Sequence, residues 1–259
     1  MKQVLILGLL AAQVFCARYE LDVVTGSKAN DGTDGSFEGT LIGSKGRVNF
    51  GVLDNAGVND FQLGAVDNFK APDSSSNVGK IECVEIAALS DDAWMVDYII
   101  VHDKASNSKT YVYNTEGEYL SSDTGEGKDK MQFCKQGDAT YKLEITTADV
   151  KNAGTNTIHA RVTMSSKGKK GSTTTGFLDN KEINDFERGA VDTFVLHNLK
   201  NVGWVGCISI TVEGDDAWLF ETITVKREKM SRTFENKDRV WLSSDLKEAS
   251  KTDKLDICL

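Results

Sequence analysis

The sequence predicts an all-β chain built as two tandem antiparallel β-sandwiches of about eight strands each. Three observations predict it: a twofold internal repeat, apolar residues spaced by two, and a cysteine spacing shared by both copies. Hydrophobic residues make up 40% of the 259 residues, aromatics 8%, and there is 1 Pro among 23 Gly, which excludes collagen, a Pro-rich stalk and a wholly disordered chain.

The repeat is the strongest signal. Asn59-Asp60-Phe61-Gln62-Leu63-Gly64-Ala65-Val66-Asp67-Asn68-Phe69 recurs as Asn184-Asp185-Phe186-Glu187-Arg188-Gly189-Ala190-Val191-Asp192-Thr193-Phe194, with eight of the eleven positions identical. Leu53-Asp54-Asn55 recurs as Leu178-Asp179-Asn180, Asp91-Asp92-Ala93-Trp94 as Asp215-Asp216-Ala217-Trp218, and Leu120-Ser121-Ser122-Asp123 as Leu242-Ser243-Ser244-Asp245. The offsets run from 122 to 125, one domain length each. The expected boundaries are 17–134 for the first copy, 135–140 for a short linker and 141–259 for the second copy.

Within each copy the period is two. Tyr19-Leu21-Val23 alternates with Glu20 and Asp22 as a half-buried strand does, as do Phe37-Gly39-Leu41 and Val48-Phe50-Val52. Ile81 to Leu89 is an apolar run, and Trp94 to Val101 is apolar on both faces except at Asp97, as in an inner strand. Tyr111-Tyr113 and Met131-Phe133 complete the first copy. Tyr141-Leu143-Ile145, Ile158-Ala160-Val162, Ile208-Ile210-Val212 and Leu219-Ile223-Val225 repeat the pattern in the second. Turn residues between these runs indicate sandwiches. The Phe61–Phe69 stretch reads as either a turn or a short piece of helix.

Residues 1–16 read as a secretory signal peptide: Lys2, then the apolar run 4–10, with cleavage after Cys16 preferred because Val14 and Cys16 are small enough at −3 and −1. The apolar run is too short to span a bilayer, and no later segment approaches ~20 apolar residues. Four cysteines then remain in an oxidising compartment. They allow three pairings. Cys83 to Cys134 and Cys207 to Cys258 are both 51 residues apart, so the duplication favours Cys83–Cys134 and Cys207–Cys258. Zinc is disfavoured, because the cysteines show no short paired spacing.

The net charge of −9 argues against nucleic acid as a partner. The charge is unevenly shared: residues 17–134 carry 10 basic and 20 acidic residues, residues 135–259 carry 19 of each. Basic runs at Lys167-Lys169-Lys170 and Lys226-Arg227-Lys229-Arg232 make the second copy the better match for an anionic surface in the absence of a metal. A solvated face or loop is the plainer account of such runs.

Enzyme signatures are absent: there is no Gly-x-Ser-x-Gly, His-Glu-x-x-His or phosphate-binding Gly-rich loop. His102, His159 and His197 do not recur between copies, so a duplicated active site lacks its base. The polar loops do recur. Asn30-Asp31-Gly32-Thr33-Asp34, Asp54-Asn55 with Asp60, and Asp91-Asp92 bring hard oxygen donors from several loops toward one end of a sandwich. Turn building explains the same residues without a metal.

Gly32-Thr33-Asp34, the Asp60 to Phe69 motif and Trp94 opening a strand resemble the PLAT (lipoxygenase homology) domain family, as do Gly154-Thr155-Asn156, Asp185 to Phe194 and Trp218. The resemblance covers nearly all of residues 19–258. It implies a sandwich of two four-stranded sheets and contact with lipids, membranes or partner proteins. It also implies Ca²⁺ in the loops of one end. The implied ligands are Gly32, Thr33, Asp54, Asn55, Asp60, Asp91 and Asp92 in the first copy. In the second copy they are Gly154, Thr155, Asp179, Asn180, Asp185, Asp215 and Asp216, weakened by Asn156 where the first copy has Asp34. No catalytic domain of the kind that often accompanies the family is present in the sequence.

The leading expectation is therefore a secreted, non-enzymatic protein that recognises a lipid surface or a lipid-associated protein. The competing one is an extracellular structural or protein-binding module without lipid affinity, including a non-catalytic partner of a separate lipase. Apolar side chains exposed at the calcium end favour lipid; a purely polar end favours protein. Trp94 and Trp218 are expected in the core, because apolar residues follow each of them. Trp204 and Trp241 each occur in one copy only.

Overall fold

The computed structural model describes residues 19–27, 29–73, 75–166, 171–180, 183–214, 216–245 and 251–259. The expected signal peptide, the basic run at 167–170 and Asp215 lie outside the described residues.

The first copy contains β1 (Tyr19–Thr25), β2 (Phe37–Gly43), β3 (Gly46–Val52), β4 (Val66–Lys70), β5 (Ile81–Ala88), β6 (Val96–Asp103), β7 (Ser108–Tyr113) and β8 (Lys130–Cys134). They form two antiparallel sheets, in the orders β4-β1-β6-β7 and β3-β2-β5-β8. The second copy contains β9 (Ala139–Thr147), β10 (His159–Ser166), β11 (Ser172–Thr174), β12 (Val191–Leu199), β13 (Val205–Glu213), β14 (Phe220–Arg227), β15 (Met230–Glu235), β16 (Trp241–Leu242), β17 (Lys251–Thr252) and β18 (Lys254–Cys258). Its main sheets repeat the same arrangement, β12-β9-β14-β15 and β11-β10-β13-β18, with β16 and β17 as a short parallel pair. The chain is all-β, as the period of two predicts.

Alternation places the core. Tyr19, Leu21 and Val23 of β1 point inward with Val96, Ile99 and Val101 of β6, against Phe37, Leu41, Val84 and Ile86 of the opposite sheet. Trp94 and Trp218 are wholly buried, as expected. Each indole N–H donates to the threonine that ends a strand, Trp94 to Thr25 Oγ1 of β1 at 3.1 Å and Trp218 to Thr147 Oγ1 of β9 at 3.0 Å, so neither ring buries an unpaired donor. Cys83 lies opposite Cys134 in the β5–β8 pair, and Cys207 opposite Cys258 in the β13–β18 pair; both disulfides form there. A loop of 51 residues closed in this way stabilises its sandwich by about 4 kcal/mol in the chain-entropy account.

The Phe61–Phe69 stretch contains no helix. Phe61 sits at φ +61° and Phe186 at φ +64°, a left-handed turn before β4 and β12. Asp67 accepts the Phe61 N–H at 2.8 Å, and Asp192 accepts that of Phe186 at 2.8 Å. The bend drives Phe61 into the core, 4.3 Å from the Trp94 ring, and Phe186 to 4.6 Å from Trp218. The repeated motif is thus in large part a device for turning a loop and anchoring it.

The two sandwiches are packed together. Cys134 closes β8 and β9 opens at Ala139, so few residues connect them. The outer face of the β6–β7 pair carries Tyr98 opposite Tyr113 and Ile100 opposite Tyr111. The corresponding pairs in β14–β15 are Thr222 with Glu235 and Thr224 with Thr233. The first copy is apolar on this face because the second copy packs there. Tyr113 joins the second copy's core cluster, and the Tyr111 ring stacks on His197 at 4.8 Å. The Tyr113 hydroxyl accepts the His197 N–H at 3.1 Å, and Asn198 Oδ1 accepts the Tyr111 N–H at 2.8 Å. Asp97, the polar exception in Trp94–Val101, is the bulged residue of β6 and accepts the Phe177 N–H at 3.2 Å. Burial, with Asp179 nearby, holds its carboxyl well above the ordinary range.

Candidate functional site

The β1–β2, β3–β4, β5–β6 and β7–β8 connections gather at one end of the first sandwich. Gly32 is required there: a Cβ on it would come within 2.9 Å of the Leu63 nitrogen, so the first loop can lie flat on the motif turn only without a side chain. Gly154 stands in the same relation to the Arg188 nitrogen, at 2.5 Å. The Thr33 N–H donates to the Phe61 carbonyl at 3.1 Å and the Thr155 N–H to that of Phe186 at 3.2 Å.

Two polar clusters result in the first copy. In one, Asp92 Oδ2 accepts the Thr33 hydroxyl at 2.7 Å and the Asp34 N–H at 2.9 Å. In the other, Asp60 accepts from Asn55 twice, from its N–H at 2.6 Å and its amide at 2.8 Å. Asp34 joins the two, because its carboxylate accepts from Asn59 at 3.2 Å and Gln62 at 3.3 Å. Asp54 and Asp91 are exposed. Asp91 uses its backbone carbonyl to accept the Ser121 hydroxyl at 2.7 Å. A small open depression of about 300 Å³ lies between Gly32, Thr33, Asp34, Leu63 and Asp92.

In the second copy Asn180 donates to Asp185 with the same two bonds, 2.6 and 2.8 Å. Burial pushes the Asp185 carboxyl up to about 6, against those two bonds, which favour its charged form. Asp216 accepts the Ala217 N–H at 2.8 Å. Asn156 accepts from Asn184 at 3.2 Å, filling with a neutral group the place of Asp34. Asp179 borders the contact between the sandwiches.

The residues expected as ligands at these ends offer hard oxygens, the chemistry that suits calcium. Their spacing is another matter. Among the described residues no three His, Cys, Asp or Glu side chains are grouped to hold a metal ion. The carboxylates of Asp60 and Asp185 are occupied in bracing their own loops, and that of Asp92 in tying the β1–β2 loop to the β5–β6 loop. Calcium asks for six to eight converging oxygens, so these loops present part of a set and no closed cage.

The apolar groups at these ends were not legible individually. Val58 is 58% exposed and Leu63 54%, both in the β3–β4 connection, and Leu89, in the β5–β6 connection, is 52% exposed. Ile183 is 61% exposed and holds the position equivalent to Val58, one residue before the repeated Asn-Asp-Phe motif. A cleft of about 510 Å³ runs between the copies, with Ser27 and Gly64 on one wall and Thr155, Ile183 and Asn184 on the other. The two loop ends are therefore neighbours.

The PLAT/LH2 domain family matches residues 19–132 and again 141–255. The chain belongs to the PLAT/LH2 domain family. Among curated proteins it is similar to human lipoxygenase homology domain-containing protein 1, 28% identical over 256 residues, which are 92% of this chain and 12% of that protein. The mouse protein of the same name is 25% identical over 249 residues, 88% of this chain and 12% of the relative. The chain thus spans about an eighth of the length of the curated relatives it matches. Among solved structures, coral 8R-lipoxygenase is described as calcium-activated through a C2-like domain. It is 22% identical, with 48% of this chain and 18% of that chain covered and a TM-score of 0.40. A lipoxygenase deletion variant in complex with arachidonate is 20% identical, with 48% and 17% covered and a TM-score of 0.39.

Proposed function

We propose that this PLAT/LH2 chain is a secreted, non-enzymatic binding protein that docks on a lipid surface through the paired loop ends of its two sandwiches. The observation that carries the reading is the recurrence of an exposed apolar tip, Val58 and Ile183, at equivalent positions of adjacent loop ends. Apolar side chains held out in water by braced loops gain when they enter the acyl boundary of a bilayer, by roughly 25 cal/mol per Å² buried. Leu63 and Leu89 enlarge the tip of the first copy. Two tips on one body also act together, since the second engages without a new diffusive encounter. Secretion is supported by the leader pattern of residues 1–16 and by the two disulfides.

Calcium has a defined part in this reading. The first copy is acidic, and an anionic bilayer repels it. Gly32, Thr33, Asp54, Asn55, Asp60, Asp91 and Asp92 supply part of an oxygen set, and lipid phosphate supplies the rest. The second copy, with Gly154, Thr155, Asp179, Asn180, Asp185, Asp215 and Asp216, has less carboxylate to offer, because Asn156 replaces an acid.

Flotation of the purified chain with phosphatidylcholine and phosphatidylserine vesicles, in calcium and in chelator, tests this. Flotation reduced at least tenfold by Val58→Asp with Ile183→Asp is the expected result. Calcium dependence lost in Asp54→Ala and Asp60→Ala places the ion in the first copy. Absence of flotation under every condition refutes the lipid reading in favour of an extracellular protein partner.

A further inference from the structure

The basic run Lys226-Arg227-Lys229-Arg232 lies away from the loop tips. Its first two residues end β14, at the far end of the second sandwich, and line an open groove of about 770 Å³ with Lys142 and Lys200. A groove of about 630 Å³ lies at the same end of the first sandwich, lined by Lys45, Lys80 and Lys135. Asp138 belongs to both walls, so the two grooves meet at the connection between β8 and β9.

In a chain of net charge −9, these grooves carry the opposite sign. Seven cations line them, against the carboxylates of Asp103, Asp138 and Glu228. Lys135 holds Asp138, and the Asp103 carboxylate accepts from Ala105 and Ser106 of its own turn. Lys142 and Lys226 share Glu144, yet their side chains stay 44% and 41% exposed. Lys45, Lys80 and Lys200 are exposed and form no ion pair among the described residues. Arg227 adds its charge, while its Nε and Nη1 are shut off from solvent and reach no ligand. A concave wall of one sign focuses the field and gathers the opposite charge.

We propose that the two grooves form one track for a linear sulfated polysaccharide, held by the exposed lysine ammonium groups. Adjoining grooves, one in each sandwich, suit a charged polymer longer than either of them. Their concave walls suit a chain, whereas a bilayer is met by exposed tips such as Val58 and Ile183. No aromatic side chain lines either groove, so the bases of a single-stranded nucleic acid find no platform to stack on. Amides are present instead. Asn77 and Asn201 hold equivalent places in a repeated Asn-Val-Gly, one in each groove. Each spends its Oδ1 on the glycine N–H two residues on, at 2.8 and 2.9 Å, which leaves the Nδ2 donors for a sugar hydroxyl or a sulfate oxygen. Lysines act as flexible point charges and so tolerate sulfates at uneven spacing. The choice of an extracellular polymer rests on the secretion proposed above; the track itself lies away from the loop tips and stands apart from the lipid docking.

The test is calorimetric titration of the purified chain with heparin at about 0.15 M salt, where weak attraction between exposed charges is largely screened. Saturable binding is expected, at least tenfold weaker in the triple variant Lys45→Gln, Lys80→Gln, Lys200→Gln. The slope of log affinity against log salt is expected to fall with it, because fewer counterions are released. These side chains are exposed, so an unchanged urea midpoint is expected and shows that the fold is kept. Lys151→Gln removes the same charge from the β9–β10 connection, at the tip end, and is expected to stay within about twofold of the native chain. Desulfated heparin and duplex DNA are each expected to bind at least tenfold more weakly than heparin. Vesicle flotation of the triple variant is expected to match the native chain, which separates failure here from failure of the lipid reading. No saturable response to heparin, an equal response in the triple variant, or equal binding of DNA overturns the proposal.

Discussion

The backbone N–H of Phe177, in the second sandwich, donates to the carboxylate of Asp97, in the first, at 3.2 Å and out of contact with solvent. The corresponding bulged residue of the second copy is Glu221, which is exposed. One strand position thus serves as a domain contact in one copy and as surface in the other. Asp97→Ala removes the acceptor and is expected to cost about 1–3 kcal/mol. Denaturant unfolding checks this. A single transition in the native chain that splits into two in the variant shows that this contact couples the sandwiches.

Asp67 and Asp192 each hold the N–H of a left-handed phenylalanine that plugs the core. Asp67→Ala and Asp192→Ala are each expected to destabilise their own sandwich by about 1–3 kcal/mol. Hydrogen exchange should show the loss confined to residues packed on Phe61 or on Phe186.

The disulfides give a second, larger effect. Cys83→Ser with Cys134→Ser is expected to lose about 4 kcal/mol from the first sandwich. Reduction of the native chain should match the variant in midpoint of urea unfolding. No change in either midpoint would show that the sandwich is held by its core alone.

Asp185 gives a pH prediction. Its folded carboxyl titrates at about 6, above the usual range near 4. The folded state therefore binds more protons than the unfolded state between those values. The stabilisation is fully present below about 4 and is lost as the pH rises through about 6. Asp185→Asn is expected to flatten that slope. Urea midpoints taken from pH 4 to 8 check it, and an unchanged slope contradicts the assignment.

Much of this architecture was legible before the structure. Alternation at Tyr19, Leu21 and Val23 gave the strands because one face of each is buried, and the duplicated cysteine spacing gave the pairing because each copy must fold around its own bond. The resemblance to PLAT domains carried the sheet layout. Less legible was why Trp94 to Val101 is apolar on both faces: the second face belongs to another domain, and no local pattern reports that. The functional end was harder still. Asp60 and Asp185 have the composition of metal ligands, yet their carboxylates brace Asn55 and Asn180. Side chains that build turns and side chains that bind ions are the same types, so only the hydrogen-bond partners separate the roles. Val58 and Ile183 carry no motif at all, and only their exposure marks them.

The measurement that tests the central claim most directly places a tryptophan at each tip, Val58→Trp and Ile183→Trp in separate chains. Each is titrated with phosphatidylcholine and phosphatidylserine vesicles whose acyl chains carry bromine as a quencher. Trp204, at the far end of the second sandwich, is the internal control. If both loop ends enter one bilayer, each new tryptophan shifts to the blue and is quenched over the same lipid range. Vesicle-bound chains with both tips unquenched, or no binding with or without calcium, would contradict the account.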